Sequence, residues 1–355
     1  LGVASPAAVG VQAPPRARSS WRLAFARFRR DRWSFVAACV FAVILVVSLA
    51  GGATASALLG HNGTDIFPYA ANYSLKPVGP WTRVPATHNS YGYANGGLAA
   101  PPKGAPTTLL IFGADGPLGR DEFIRVVDGG KASLEIALGG VLVALLIGLP
   151  LGCVSGYFGG LADTFVTRVT DTVMAFPLLL FLVFASVNLD ASLKPIGAWG
   201  SIIPEGVVAE AVLIGVFTSF YPTRLVRARL LTLRQEEFVE AAEMVGASHW
   251  RILRYHLLPY LRPMLIVWAA IATATNILLE VGLSFVGAGV QPETPTWGSL
   301  LSTTWGTIYQ PQVFDKTQFT VWQTVFPTVA ILLCVVSLNQ LSEGLRHALE
   351  PEGGR

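Results

Sequence analysis

Twenty-five consecutive residues, Phe35 to Leu59, carry no charge. That run exceeds the roughly 20 apolar residues needed to cross a bilayer core, and it decides the class of fold open to the chain. Two more runs are comparable: Ile136 to Ala162, interrupted by Pro150, and Phe319 to Ser342. Three weaker stretches lie between them. Thr172 to Leu189 follows Asp171, Val207 to Tyr221 contains Glu210, and Pro263 to Leu279 ends at Glu280. Alone, each is ambiguous with a buried helix. Together the six predict an all-α polytopic membrane protein with six transmembrane helices. Composition agrees, because 13% of the 355 residues are charged, against about a quarter in soluble domains.

The same composition excludes several functions. A net charge of +3 is too small to argue for a nucleic-acid partner. Cys39, Cys153 and Cys334 all fall in apolar runs, where isolated buried thiols are expected rather than a disulfide framework or a metal site. The five histidines are scattered, and no Ser-His-Asp set is visible. The glycine-rich "GYFGGLAD" (156–163) reads as a tight turn, since it lacks the Lys-Ser/Thr of a phosphate-binding loop. No cofactor is expected on this chain, and it is not expected to be an enzyme.

Arginine placement predicts orientation. Residues 1–33 hold seven arginines and no lysine, and residues 224–262 hold another seven. With six spans, both clusters lie on the cytoplasmic side, as the positive-inside rule requires, and both termini are cytoplasmic. The expected divisions are a cytoplasmic Arg-rich segment (1–33), a first transmembrane helix (34–59), an external loop or insert (60–131), a five-helix core (132–348) and a cytoplasmic tail (349–355). Arg29-Arg30 ahead of an apolar run and "ATASA" (53–57) resemble a cleavable twin-arginine signal. The run is long for a signal and five spans follow, so a retained helix is expected. Residues 60–107, rich in Pro, Gly, Asn, Tyr and Thr, predict an external loop or small irregular cap. Asn62-Gly63-Thr64 and Asn72-Tyr73-Ser74 match glycosylation sequons, which are common by chance.

A polar segment, "EFVEAAEMVGASHWRILRYHLLP" (237–259), stands between two hydrophobic runs. Phe238, Ala241, Ala242 and Val245 fall at i, i+3, i+4, i+7, one face of a helix, with Glu236, Glu240 and Glu243 opposite. Gly246 can take the positive φ that ends a helix. Trp250, Leu253 and Leu257 begin a second stripe, limited by Pro259. The pattern predicts a short helix, a glycine corner and a second short helix.

These residues carry a resemblance. Glu240-Ala241-Ala242, Gly246 and Leu258-Pro259 resemble the "EAA" signature of permease subunits of binding-protein-dependent ABC importers. "FGADGPLGRDEFIRVVDGGKASL" (112–134), "GYFGGLADTFVTRVTDTVMAFP" (156–177), "LVRARLLTLRQEEFVEAA" (225–242) and "EVGLSFVGAGVQPETPTWGSLL" (280–301) are similar to the dipeptide/oligopeptide branch, and most to its C-type partner. Ala114 stands where that branch usually has Thr, and the segment between the first two spans is longer than usual. The resemblance implies a type I ABC importer permease fold in a bacterial or archaeal cell membrane, with the EAA loop near 229–262. It implies a second homologous permease, two ATPase subunits or domains that carry ATP-Mg, an external substrate-binding protein and the lipid bilayer as partners. Phe238, Glu240, Ala241, Ala242, Gly246 and Arg251, with Arg254 at the rim, would meet the ATPase. The implied substrate is a di- or oligopeptide, with nickel or another small solute as the alternative.

Near the cytoplasmic edge of the third span, Arg168 and Asp171 are spaced for an i, i+3 ion pair. For Asn276, Glu280 and Ser284, a role in the translocation path or gate and plain interhelical hydrogen bonding both stand. A secondary transporter would predict inverted repeats, which are not visible, and would leave the EAA segment without a purpose. A membrane-anchored sensor using the external insert would not need the motif at 280–301.

Overall fold

The computed structural model describes residues 20–71, 77–86, 93–94, 97–98, 104, 106–116, 118–193, 206–290, 294–309 and 321–349. The second sequon, most of residues 87–105, the loop at 194–205 and the termini lie outside them, as do Phe319 and Thr320. Four helical segments are long and apolar enough to cross a membrane, and a bent pair makes a fifth. After the short α1 (Ser20–Arg30) comes α2 (Arg32–Leu59). Asp31 caps α2, accepting from the Trp33 N–H at 3.2 Å, and Gly60 closes it with φ +75°. The residues of the supposed cleavage site lie inside this unbroken helix.

The second span differs from the expectation. α3 (Glu122–Cys153) starts fourteen residues before Ile136 and continues as a π-helical turn through Val154–Phe158. Asp121 is the reason for the early start, because its carboxylate accepts from the N–H groups of Phe123 (2.8 Å) and Ile124 (3.3 Å). Gly159 and Gly160, both at positive φ, end the turn. The third expected span, Thr172–Leu189, is not one helix. α4 (Gly160–Met174) and α5 (Leu178–Leu193) meet at 89° around Pro177, which cannot donate into a continuing helix. The fourth is shorter than expected: α6 (Val207–Thr218) gives way at Ser219 to α7 (Phe220–Leu233). Twelve helical residues reach only about 18 Å. The Arg168–Asp171 pair is also corrected. Both side chains are exposed, and the ion pair at α4 joins Asp163 to Arg227 of α7.

α3 is the post around which the bundle is built. Gly140, Ala144, Gly148, Gly152 and Gly156 recur every fourth residue and form a stripe of minimal side chains. A Cβ at Gly148 would sit 2.5 Å from the Ser219 carbonyl, and one at Gly152 would sit 2.7 Å from Val226 Cβ and 2.8 Å from the Thr223 carbonyl. At Gly156 it would meet the Arg227 backbone at 2.9 Å. Small residues let the backbones of α3, α6 and α7 approach to van der Waals contact, the packing that holds helices together where lipid removes the hydrophobic drive. The opposite face, with Leu138, Leu142 and Leu146, is exposed.

α8 (Glu237–Met244) and α9 (His249–Arg251) lead through a π-helical segment, Ile252–Leu257, into α10 (Leu258–Phe285). A further helix, α11 (Trp297–Tyr309), lies between the last two expected spans, and α12 (Val321–Leu349) completes the described chain. Cys153 and Cys334 are buried thiols as expected, but Cys39 is exposed on α2.

Between α2 and α3 lies a small cap of short antiparallel pairs. β1 (Thr82–Pro85), β2 (Tyr93–Ala94), β3 (Gly97–Leu98), β4 (Thr107–Leu110), β5 (Ala114–Asp115) and β6 (Arg120–Asp121) pair as β1–β4, β2–β3 and β5–β6. Phe67, Ala70, Val84, Leu110 and Ala114 form its core. The cap is fastened to α12, where Gln323 Nε2 donates to the Ala114 carbonyl at 3.1 Å and Phe326 stacks on Phe112 at 3.8 Å. It is fastened to α3 by Asp115, which pairs with Arg120 (2.7 Å) and Arg125 (2.6 Å).

His61, just past α2, lies 2.9 Å from Asp121. Burial pulls its pKa down, but the hydrogen bond and charge of Asp121, with the Leu59 carbonyl and Asp65, outweigh burial and raise it above 6.5. A raised folded pKa gives stability that is full below the unfolded value and lost as pH rises through the folded one. The thermal midpoint of the purified protein is therefore expected to fall as pH rises from about 6 to about 8. His61→Gln is expected to flatten that slope, and an unchanged slope in the variant would remove His61 as its source.

Candidate functional site

The loop between α7 and α10 is built on internal packing. Val239 of α8 is 2% exposed and joins Leu230, Leu233, Ile252, Leu253, Leu257 and Leu261 in one apolar cluster. Phe238 and Ala242 pack at its edge, and the Phe238 ring stacks on Tyr260 at 5.3 Å. The helix ends in a Schellman motif. The Ala247 N–H donates to the Ala242 carbonyl at 3.0 Å, the Gly246 N–H to the Glu243 carbonyl at 2.9 Å, and Gly246 has φ +84°. Ser248 then caps α9. The Tyr157 hydroxyl, at the π-helical end of α3, is 3.0 Å from His249 Nδ1 and ties the loop to the central post.

The outward side combines charge with apolar bulk. Glu236, Glu237, Glu240 and Glu243 are exposed, as are Ala241, Arg251 and Arg254. Met244 is 78% exposed and Val245 88%. The inward stripe is thus Phe238, Val239 and Ala242, not the set ending in Val245. Once the Schellman turn begins, the helical register that put Val245 on the inner face no longer applies. Trp250, expected on the second inner stripe, is also outward, and Ile252 takes its place.

A second constellation lies near the far end of α10. Glu280 is fully buried and accepts from Thr296 Oγ1 (2.6 Å), Ser284 Oγ (3.0 Å) and Ser133 Oγ (3.1 Å). Ser133 in turn accepts from the Trp297 N–H at 3.0 Å. One carboxyl group therefore joins α3, α10 and the start of α11. Asn276, one turn earlier, donates to the Ala137 carbonyl at 3.1 Å. Glu210 of α6 is also buried. No group of three or more potential metal ligands occurs among the described residues.

Comparison with known proteins decides what these features belong to. Residues 148–352 match the family described as "Binding-protein-dependent transport system inner membrane component". The chain belongs to that family. Relatives agree along the sequence. A Brucella ovis protein provisionally named a peptide permease is 36% identical over 247 residues, 70% of this chain and 74% of its own. The dipeptide transport system permease protein DppC of Alkalihalophilus pseudofirmus is 34% identical over 251 residues, 70% of this chain and 73% of that one. The glutathione transport system permease protein GsiD of Escherichia coli is 30% identical over 341 residues, 96% and 93% respectively. This inner membrane component is a permease subunit of a binding-protein-dependent ABC importer.

Within the inner membrane component, the residues singled out by sequence separate into two groups. Phe238, Glu240, Ala241, Ala242, Gly246 and Arg251 are brought together on one loop. Asn276, Glu280 and Ser284 are brought together at the other constellation, all at most 5% exposed. Sequence reasoning missed Ser133, Thr296, Tyr157 and His249. Thr296 sits within the quoted motif "EVGLSFVGAGVQPETPTWGSLL" and could have been paired with its Glu280. Nothing in the spacing links Ser133 or Tyr157 to partners more than ninety residues away.

Proposed function

We propose that this permease forms half of the translocation path of a peptide importer and takes its drive from a cytoplasmic ATPase through α8. The observation that carries the reading is the geometry of the loop: a short helix anchored by Val239, closed by its own turn, that holds exposed Met244 and Val245 beside Glu240 and Ala241. Two large apolar side chains exposed on a well-packed, charged loop suit a partner surface. Ala241 lets that surface come close, and Glu240 offers it a charged contact. Ala242 acts from within, by packing α8 against the bundle. Motion of α8 would pass to α3 through Tyr157 and His249 and to α10 through the π-helical segment.

The full reading has six crossings, with α6 and α7 supplying the fourth and both termini in the cytoplasm. A homologous permease would complete the path, two ATPase subunits or domains would hold ATP-Mg, and an external binding protein would deliver the substrate. Relatives named for dipeptide and glutathione transport support a peptide substrate. For Asn276, Glu280 and Ser284 we favour interhelical fastening over path lining, because side chains buried within one subunit are not available to a path between two.

The test is co-purification of the tagged chain with its neighbouring gene products, as wild type and as Glu240→Lys and Gly246→Pro. Proline cannot adopt φ +84° and removes the N–H that Glu243 accepts. The ATPase is expected to accompany wild type, and both substitutions are expected to lose it or to abolish peptide-stimulated ATP hydrolysis. Wild type without an ATPase, with transport unaffected by either change, would sink the coupling role.

A further inference from the structure

The elbow between α1 and α2 is a built structure with no role in the coupling loop. Asp31, at φ −81° and ψ 102°, breaks the helix. Ser34 is fully buried, donates to the Asp31 carboxylate, and lies 3.3 Å from the Gln340 carbonyl of α12. Ser34 and Phe28 both close on Gly344 of α12, where no Cβ would fit. The elbow is therefore held against the last helix rather than hanging from the first span.

Its outward side is basic and aromatic. Arg29, Arg30 and Arg32 are exposed, Phe25 is 61% exposed and Trp33 is 77% exposed. The Arg29 guanidinium lies over the Phe25 ring at 5.9 Å. The nearby acids are already engaged. Asp31 caps α2, and Glu343 pairs with Arg346 (2.6 Å) and His347 (2.9 Å). Among the described residues no carboxylate pairs with Arg29, Arg30 or Arg32.

Depth follows from length. The 28 residues of α2 extend about 42 Å at 1.5 Å per residue, against a hydrocarbon core of about 30 Å. The first turn, with Arg32 and Trp33, therefore reaches into the headgroup layer, where indole rings settle and guanidinium groups meet phosphate. We propose that the α1–α2 elbow binds anionic phospholipid headgroups, with Arg29, Arg30 and Arg32 on the phosphates and Phe25 and Trp33 at the acyl boundary. The charge excess, the aromatic pair and continuity with a membrane span together favour lipid over an acidic protein surface.

The experiment uses the assembled transporter in nanodiscs of phosphatidylcholine containing spin-labelled phosphatidylglycerol or spin-labelled phosphatidylcholine. Wild type is expected to immobilise phosphatidylglycerol with a selectivity on the order of tenfold, weakened by added salt. The combined Arg29→Gln, Arg30→Gln, Arg32→Gln variant is expected to lose the selectivity, and the matching triple lysine variant to keep most of it. Equal immobilisation of both lipids by wild type overturns the proposal, as does selectivity that survives the glutamine changes or ignores salt. If the glutamine variant loses its ATPase but keeps lipid selectivity, the patch belongs to a protein partner instead. Because lipid immobilisation is read directly, failure of the α8 coupling role would leave this result intact.

Discussion

Gly152→Leu is expected to leave little or no folded permease. Position 152 faces α7 at backbone distance, with the Thr223 carbonyl and Val226 Cβ both inside 3.0 Å of where a Cβ would lie. A flexible side chain could move aside, but a helix backbone cannot without parting α3 from α7. Overpacking a tight core typically costs about 1–3 kcal/mol, and here the intruder also breaks contacts at neighbouring Gly148 and Gly156. A loss of about 3 kcal/mol or more is expected, against total stabilities of roughly 5–15 kcal/mol. Yield of monodisperse protein from detergent reads the effect, with Gly152→Ala intermediate. Leu146→Ala, on the exposed face of the same helix, is the control and is expected to change little. Equal recovery of Gly152→Leu and the control would show that the stripe is not a contact surface.

The second large effect is expected at Glu280. Leucine there would leave the hydroxyls of Ser133, Ser284 and Thr296 without their common acceptor in a fully buried site. Each unsatisfied buried polar group costs about 1–3 kcal/mol, so Glu280→Leu is expected to destabilise by roughly 3–5 kcal/mol. Glu280→Gln keeps the shape and one acceptor oxygen, and a hydroxyl can turn to accept from the new amide. It is expected to cost about a third as much. Thermal unfolding of the two variants in one detergent checks both size and order. Equal midpoints for glutamine and leucine would mean that the hydrogen bonds contribute nothing and only volume matters.

Much of this was legible in the sequence, for reasons that differ by element. The runs around 35–59, 136–162 and 319–342 announce spans because lipid demands uninterrupted apolarity. The glycine corner was readable because a Schellman turn needs a residue that tolerates positive φ, and Gly246 is that residue. The exposure of Val245 was not, because periodicity extrapolates a helix past the point where hydrogen bonds end it. The bend at Pro177 was announced by the proline itself, and the apolar residues on either side masked it. α11 was missed because its short run resembled a loop and its N-terminal contacts, Thr296 to Glu280 and Trp297 to Ser133, come from elsewhere in the chain. The α3 stripe was equally plain in spacing, yet small residues carry no hydropathy signal, and only their partners on α6 and α7 give them meaning.

The fastening of the cap to α12 has a consequence for biosynthesis. The Gln323–Ala114 hydrogen bond spans 209 residues, and the Phe112–Phe326 stack spans a similar interval. At about 5–20 residues per second, the cap waits roughly 10–40 s after its own translation before the helix that locks it emerges. During that interval the Phe112 ring and the Ala114 carbonyl lack their final partners. Completion of the cap is thereby linked to insertion of the last helix, so a truncated or stalled chain would carry an unlocked cap.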